Sequence, residues 1–286
     1  MAKDGLDLRG MKVSVVMPVY NERDTIEEIL RRVDATGIVH EIIVVDDAST
    51  DGTRLFLQGL AHPRVRLICH LYNRGKGRAL RTGFEAATGD IVLVQDADLE
   101  YDPADYPELI RPIADGVADV VVGSRFLGGT HRVLYFWHYL GNRFLTSLSN
   151  VLTNLNLTDM ECCYKVLRTT VLRQLDLRSN RFGIEPELIA RVAQLGCRVY
   201  EVPVSYFGRD YAQGKKITWK DGVAALWHIL RFGLTRRRRR ALPAAAPAAE
   251  MAESCAAPPE PEPEPEAKPK PKRKPRTRRR KKETTP

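Results

Sequence analysis

Four acidic side chains occur at alternate positions in the stretch DIVLVQDADLEYD, directly after a short apolar segment. The apolar segment is 91–94, and the acids are Asp96, Asp98, Glu100 and Asp102. Like charges this close raise one another's pKa unless a cation neutralises them. Carboxylate oxygens are ligands that Mg²⁺ and Mn²⁺ favour, and Mg²⁺ often bridges to a substrate phosphate. The spacing therefore indicates a divalent-cation site, and the alternative is an ordinary polar turn.

The elements that would position these acids are short apolar strands separated by helical segments. Five segments are predicted to be strands: 13–17, 41–47, 64–70, 90–94 and 118–126. Continuous apolar runs that alternate with helices are typical of an α/β fold with a parallel sheet covered on both faces. Ligands bind such sheets at the carboxyl ends of the strands. The polar clusters there are PVYNE, DDAST, NRGKG, QDADLE and GSRF, and they are predicted to meet at one sheet edge.

Two common phosphate-binding motifs are absent from the sequence. The chain has no GxxxxGK[ST] loop, and GKGRAL at 75–80 lacks the last glycine of the GxGxxG pattern. The sequence therefore excludes a P-loop enzyme and an ordinary dinucleotide-dependent enzyme.

The ordered motifs resemble those of family 2 glycosyltransferases of the GT-A fold. They are VSVVMPVYNE, IIVVDDASTDGT, NRGKGRALRTGFEAATGD, DADLEY and GSRF. They are most similar to the polyprenyl-phosphate sugar synthases, typified by dolichol-phosphate mannose synthase. The resemblance implies a Rossmann-like, mostly parallel sheet. It also implies a Mg²⁺- or Mn²⁺-dependent, inverting transfer of a hexose to a polyprenyl or dolichyl phosphate. The favoured donor is GDP-mannose, with a UDP-sugar left open.

The resemblance also implies roles for individual residues on the donor side. Asp96, Asp98 and Glu100 match the metal motif, with Glu100 either a third ligand or a neighbour. Tyr20 could instead be a packing aromatic and Glu22 a carboxylate at a helix start. The residues that match donor-binding positions are Pro18, Tyr20, Glu22, Asp47, Asp96, Ala97, Asp98, Arg125, Arg209 and Lys215, the last interchangeable with Lys216.

The catalytic residues implied are Asp98, Arg125 and Glu161, and the segment around Glu161 departs from the family pattern. Lipid-phosphate enzymes often read DxxGxFR, whereas this chain has DMECCYK, with Lys165 in place of arginine and Glu161 as an additional acid. A phosphate acceptor is already ionised, whereas a sugar hydroxyl needs a base. Glu161 therefore leaves open a second reading, transfer to a glycan hydroxyl with Glu161 as general base.

A non-catalytic sugar-nucleotide-binding scaffold is a third alternative. The presence of Asp96, Asp98 and Arg125 together argues against it, because each matches a position that the family uses for chemistry.

The net charge of +9 belongs entirely to the C-terminal segment. Residues 236–286 contain 16 Lys/Arg and 7 Asp/Glu, so residues 1–235 contain 29 of each. The segment is rich in proline and has no aromatic residue, which predicts a disordered tail after a GT-A domain at 11–235. Its basic residues are expected to attract an anionic membrane. Nucleic acid is a less favoured partner because no aromatic residue is available for stacking.

Two segments near the C-terminal half, 132–155 and 219–234, carry apolar stripes at helical spacing. The stripes comprise Trp137, Leu140, Phe144, Leu148, Val151, Leu152 and Leu155, then Trp219, Val223, Leu226, Trp227, Leu230 and Leu234. They predict either packing on the sheet or helices at a membrane interface. No apolar run reaches the length of a membrane span, and the first residues lack the apolar core of a signal peptide. We therefore expect a cytoplasmic protein, peripheral on the cytoplasmic face of the membrane.

Overall fold

Seven strands form one mixed sheet in the computed structural model. The structure describes residues 6–8, 10–128, 135–208 and 219–235, except for the side chains of 219–221. The strands are β1 Val13–Val19, β2 Glu41–Asp46, β3 Val65–Cys69, β4 Ile91–Val94, β5 Val120–Ser124, β6 Lys165–Arg168 and β7 Val199–Pro203. Strands β1 to β5 coincide with the five predicted segments, so that prediction is confirmed. The sequence does not predict β6 and β7, because β6 has only four residues and β7 has no fully buried position and no regular alternation.

The order of strands in the sheet is β3-β2-β1-β4-β6-β5-β7. Strand β6 is antiparallel to both of its neighbours, and all other pairs are parallel. Every residue of β4 and of β5 is buried, and successive residues point to opposite faces. Both faces of the sheet are therefore covered, which confirms the predicted α/β class.

Strand β1 continues through Pro18, although proline lacks the N–H that a sheet normally uses. The carbonyl of Val16 accepts a hydrogen bond from the N–H of Gln95, so the backbone N–H and C=O of residue 16 face β4. The backbone of residue 18 faces the same side, where β4 has already ended, because the last pair between the two strands is Val16 with Val94. The missing donor of Pro18 therefore costs no ladder hydrogen bond.

Helices connect the strands and follow them. They are α1 Ile26–Ala35, α2 Thr53–Gly59, α3 Lys76–Ala86, a 3-10 turn Pro103–Asp105, α4 Tyr106–Ala114, α5 Phe136–Thr153, α6 Thr169–Leu172, α7 Ile184–Leu195 and α8 Trp219–Leu234. Helix α3 packs closely on β1, because a Cβ added at Gly83 would lie 2.3 Å from Cγ1 of Val16. Helix α8 packs against α5 and α7.

Helices α5 and α8 bury only part of their predicted apolar stripes. Leu148, Leu152 and Leu155 pack against the core, as sheet packing predicts. In contrast, Trp137 is 76% exposed and Trp227 is 63% exposed. The packing interpretation is therefore wrong for this outer part of the stripes. The other large apolar residues exposed on the two helices are Phe136, Tyr139, Leu140, Phe144, Val151, Val223, Leu230 and Leu234.

Neither α5 nor α8, nor any other helix in the described part of the chain, combines the length and hydropathy that a bilayer crossing requires.

Candidate functional site

Three residues in left-handed backbone conformation mark one edge of the sheet. Asn21, Ala48 and Leu99 have φ values of 54°, 64° and 61°, and each lies just after the carboxyl end of β1, β2 or β4. This conformation costs energy in residues with a side chain, and such strain concentrates at functional sites. The sequence gives no signal for it at Ala48 or Leu99. The edge that carries the strain is the one at which the polar clusters are predicted to meet.

The turns after β1 and β2 are tied to each other. The N–H of Asn21 donates to Ser49 Oγ at 2.9 Å, and Asn21 Oδ1 accepts from the N–H of Thr50 at 2.8 Å. Tyr20 is 40% exposed, so part of its side chain is accessible at this edge of the sheet. Glu22 Oε2 accepts a hydrogen bond from the hydroxyl of Thr25 at 3.1 Å, at the start of α1. These hydrogen bonds connect the two turns directly beside Tyr20.

Asp47 uses its carboxylate to hold the loop before α3. Its oxygens accept from the N–H groups of Arg74 at 2.9 Å and Gly75 at 2.7 Å, and from His70 Nδ1 at 2.6 Å. Burial would raise the pKa of Asp47, but these hydrogen bonds lower it below its usual value. The side chain is almost fully buried. Its contact with the donor stays a prediction.

Lys76, which the sequence analysis does not single out, connects two acids from distant elements. Its Nζ lies 2.9 Å from Asp96 Oδ2 and 3.1 Å from Glu185 Oε1. Asp96 follows β4, whereas Glu185 is in the first turn of α7. No short-range pattern could reveal this contact, because Glu185 is far from both partners in sequence.

The remaining acids of the 96–102 stretch have different partners. Asp98 Oδ1 accepts from the N–H of Glu100 at 3.1 Å, and Glu100 Oε2 accepts from the hydroxyl of Tyr206 at 3.1 Å. Asp102 Oδ1 accepts from the N–H of Ala104, so it caps the 3-10 turn. Ala97 is buried between the acids. The stretch is thus an ordered acidic loop, and Asp102 is its structural member.

The residues Asp96, Asp98 and Glu100 supply hard oxygen donors, the chemistry that Mg²⁺ and Mn²⁺ favour. Within the described residues, however, no three His, Cys, Asp or Glu side chains converge into a ready metal site. The oxygen donors of this loop therefore fit Mg²⁺ or Mn²⁺ by their chemistry, without a complete set of protein ligands among the described residues.

Arg125, in the GSRF motif directly after β5, is held on the other side of β4 from β1. Its Nε lies 2.6 Å from Asp159 Oδ2 and its Nη2 lies 2.7 Å from Asp159 Oδ1. Its guanidinium also lies 5.1 Å from the ring centroid of Tyr206. Burial would raise the pKa of Asp159, but the charge of Arg125 holds it below its usual value. Asn142 donates a hydrogen bond to the same carboxylate at 3.1 Å.

The carboxyl group of Glu161 experiences charges from several elements, namely those of Glu185, Lys165, Arg125 and Asp159. Burial, and then the charge of Glu185, raise the pKa of Glu161 to about 7. Its Oε1 is buried and has no hydrogen-bond partner among the described residues. A base whose pKa is near the working pH is well matched to proton transfer. Lys165, the departure from the family arginine, is buried and donates to the carbonyls of Met160 and Cys162, so it acts within the fold.

The predicted basic residues Arg209, Lys215 and Lys216 lie outside the described residues, as does the segment 236–286. The structure otherwise brings Asp96, Asp98, Glu100 and Arg125 to one edge of the sheet, with Tyr20 on the neighbouring turn.

The sequence matches the glycosyl transferase family 2 model over residues 14–176, and the chain belongs to this family. It is similar to the undecaprenyl-phosphate mannosyltransferase of Micrococcus luteus, with 30% identity over 242 residues that span 79% of this chain and 96% of that protein. It is 34% identical to the dolichol-phosphate mannosyltransferase of Pyrococcus furiosus over 229 residues, 78% of this chain. That match spans only 64% of the Pyrococcus protein, less than two thirds of its length.

A third relative is the undecaprenyl-phosphate 4-deoxy-4-formamido-L-arabinose transferase of Edwardsiella ictaluri, 32% identical over 71% of this chain and 62% of that protein. Among solved structures, the glucosyl-3-phosphoglycerate synthase of Mycobacterium tuberculosis with Mn²⁺, UDP and phosphoglyceric acid has a TM-score of 0.64. It is 21% identical, and the match covers 82% of this chain and 85% of that one. This similarity establishes a GT-A-like fold. The protein is therefore a glycosyltransferase with that fold.

Proposed function

We propose that this enzyme transfers a hexose, with mannose favoured, from a nucleoside diphosphate sugar to a polyprenyl phosphate. The named relatives from Micrococcus and Pyrococcus are lipid-phosphate mannosyltransferases, which supports this acceptor and this sugar. The observation that carries the proposal is an acidic loop, 96–100, that forms an ion pair with Lys76 and is linked through Tyr206 to Arg125. A diphosphate with its divalent cation and an anionic acceptor need both kinds of charge in one place.

The donor side of the site is proposed to lie over the turns after β1, β2 and β4. Pro18, Tyr20 and Glu22 would face the nucleoside, with Asp47 fixing the neighbouring loop. Asp96, Asp98 and Glu100 would hold Mg²⁺ or Mn²⁺, which when bound would stabilise the charge of the departing diphosphate. Mn²⁺ and Mg²⁺ accompany UDP in the structural neighbours, which supports this cofactor.

The acceptor side is proposed to lie near Arg125. Its guanidinium can bind phosphate oxygens, and Asp159 keeps it in one orientation. Arg209 and Lys215, which follow β7 in the sequence, are proposed to add positive charge. An acceptor phosphate is ionised at neutral pH, so no protein group has to remove a proton from the nucleophile.

A glycan hydroxyl remains the second candidate acceptor. The raised pKa of Glu161, about 7, favours it because a hydroxyl nucleophile needs a base of this kind.

We also propose that the enzyme works at the membrane surface. The exposed aromatic residues of α5 and α8 are Phe136, Trp137, Tyr139, Phe144 and Trp227, and we call them together the interfacial surface. Aromatic side chains of this kind are typical of helices that lie in a membrane interface. Five arginines follow α8 directly in the sequence, at 236–240. Apolar residues and adjacent positive charge together suit an anionic bilayer.

A transfer assay tests the proposed function. Purified protein is incubated with Mn²⁺ and labelled GDP-mannose, UDP-glucose or UDP-N-acetylglucosamine, in the presence of vesicles that contain a polyprenyl phosphate. We expect one label to enter the organic phase, and none to do so when the lipid is the matching polyprenol without phosphate. Label that instead appears in a water-soluble glycan, with the lipid unlabelled, would contradict the proposed acceptor and support the hydroxyl alternative.

A further inference from the structure

Lys76 is the only cation in the described structure that forms ion pairs with Asp96 or with Glu185. Its Nζ lies 2.9 Å from Asp96 and 3.1 Å from Glu185, and its side chain is 18% exposed. Glu185 is 8% exposed, and in the part of the chain that the structure describes its second oxygen, Oε2, has no hydrogen-bond partner. Two carboxylates thus share a single ammonium group, and one of them belongs to the acidic loop.

The backbone around Lys76 is fixed from two directions. The carboxylate of Asp47 accepts the N–H of Gly75 at 2.7 Å, and the carbonyl of Asn180 accepts the N–H of Arg78 at 3.1 Å. Gly75 has a φ of 90°, which favours glycine, and a Cβ there would collide with the Asn180 carbonyl. Because the loop is held on both sides, the ammonium group stays between its two partners.

The position of Lys76 between two carboxylates places one positive charge directly beside the acidic loop. A cation 2.9 Å from Asp96 reduces the negative potential of the acidic loop, and a carboxylate on the far side of that cation restores part of it.

We propose that Glu185 is a positioning residue of the transfer site, which shares Lys76 with Asp96 and thereby sets the attraction of the acidic loop for a divalent cation. The inference rests on the proposed function for the identity of that cation's partner, a nucleoside diphosphate. Lys76 weakens cation binding and Glu185 strengthens it. The balance keeps affinity moderate, so that the cation enters with the donor and leaves with the nucleotide.

Opposite effects of two charge-removing variants test this inference. Binding of Mn²⁺ in the presence of GDP or UDP is measured on the full chain by the loss of the free Mn²⁺ electron paramagnetic resonance signal. Glu185→Gln is expected to weaken the affinity for Mn²⁺ roughly tenfold, and Lys76→Gln to strengthen it by a similar factor. The double variant keeps the wild-type net charge and is expected to return close to the wild-type affinity.

Two further variants separate charge from fold. Glu185→Asp keeps the charge and is expected to retain most of the wild-type affinity for Mn²⁺. Glu187→Gln is the matched control, because Glu187 is buried on the same helix but accepts the N–H groups of Arg178 and Ser179. It is expected to leave Mn²⁺ binding unchanged. All variants are compared by thermal unfolding, so that a folding defect is recognised.

Equal Mn²⁺ affinity in Glu185→Gln and Glu187→Gln would overturn the inference, as would weaker binding in Lys76→Gln or no Mn²⁺ binding by the wild-type chain. The proposed lipid acceptor fails separately, if the wild-type enzyme binds Mn²⁺ and nucleotide yet labels no polyprenyl phosphate. In that case the opposite shifts at Glu185 and Lys76 would still support the positioning role.

Discussion

Arg125 and Asp159 form a bidentate ion pair, with 2.6 Å between Nε and Oδ2 and 2.7 Å between Nη2 and Oδ1. The backbone N–H of Arg125 donates to the same carboxylate at 3.1 Å. Asp159 is fully buried, whereas the arginine remains partly accessible. The pair therefore presents a cation of fixed orientation to whatever anion binds beside it.

Replacing Asp159 by asparagine is expected to lower both stability and transfer. Removing one partner of a buried pair leaves the other charge uncompensated, which costs about 3–5 kcal/mol. Chemical denaturation and steady-state kinetics with varied acceptor concentration measure the two effects. Asp119→Asn is the control, because Asp119 pairs with the exposed Arg198. Breaking that surface pair should cost at most about 1 kcal/mol and leave transfer unchanged. Similar losses in both variants would contradict the special role of the buried pair.

Asp98→Asn is expected to abolish transfer and metal-dependent donor binding while leaving the fold intact. The carboxylate is one of the hard oxygen donors of the acidic loop, and an amide cannot supply the negative charge. Donor binding is measured by calorimetry with and without Mn²⁺. Asp102→Asn is the matched control, since Asp102 caps the 3-10 turn. Equal turnover of wild type and Asp98→Asn at saturating Mn²⁺ would show that the acidic loop holds no catalytic cation.

Glu161→Gln separates the two candidate acceptors. With a phosphate acceptor, the variant should retain activity within about tenfold, because the nucleophile is already deprotonated. With a hydroxyl acceptor, loss of a positioned base should cost about 10²–10⁴-fold. Single-turnover kinetics with the donor already bound make the measurement. A loss above about a thousandfold with unchanged donor affinity would reject the phosphate acceptor.

The same variant is expected to change how stability depends on pH. The pKa of Glu161 is raised from 4.5 to about 7 in the folded protein, so the folded state binds the proton more tightly. Between these values the unfolded chain has lost the proton and the folded chain has kept it, so this group's contribution to stability falls as pH rises. Glutamine cannot ionise and removes that loss. Thermal unfolding should therefore show that the free energy of unfolding of Glu161→Gln, relative to that of the wild type, increases between about pH 5 and 8, by at most about 3 kcal/mol. Parallel pH profiles for the two proteins would contradict the raised pKa.

Removal of residues 236–286 is expected to weaken binding to anionic vesicles and to remove most of its salt dependence. Residues 1–235 carry no net charge, and screening limits surface charges to about 8 Å at physiological salt. Transfer to a short, water-soluble acceptor analogue should therefore change little, whereas transfer to a vesicle-embedded acceptor should fall.

The interfacial surface provides the second component of that experiment. Binding that survives high salt should depend on Trp137 and Trp227, and replacing both by alanine should abolish it. Sedimentation of the truncated chain with vesicles that equals the full-length chain at every salt concentration would instead assign the tail to a protein or nucleic-acid partner.

The parts of the fold that the sequence predicts are those with a strong local signal. Continuous apolar runs predict β1 to β5, because a strand buried on both faces needs apolar side chains on each. Strand β6 escapes prediction because it has four residues and begins with a buried lysine, Lys165. The outer stripe of α5 is likewise misassigned, since helical periodicity gives the apolar face but not the surface that covers it.

The candidate site divides in the same way. Motif order predicts Asp96, Asp98 and Arg125, and their common sheet edge follows from strand direction. Lys76 and Glu185 are missed because their contact depends on how α3 and α7 pack, which no short pattern encodes. The hydrogen bonds of Asp47 are also tertiary, so its role in holding the loop before α3 could not be read from its position after β2.

The reversed direction of β6 divides the site into two separately adjustable parts. Parallel strands deliver to the working edge the residues that follow them, whereas β6 delivers the residues that precede it, Asp159 and Glu161. The residues proposed to face the nucleoside and the cation, within 18–100, therefore lie at or after the ends of β1, β2 and β4, whereas Asp159 and Glu161 precede β6. Changes in length between α5 and β6 would alter the acceptor region without disturbing the register of β1, β2 or β4. A chain arranged in this way can acquire a new acceptor while keeping its sugar donor.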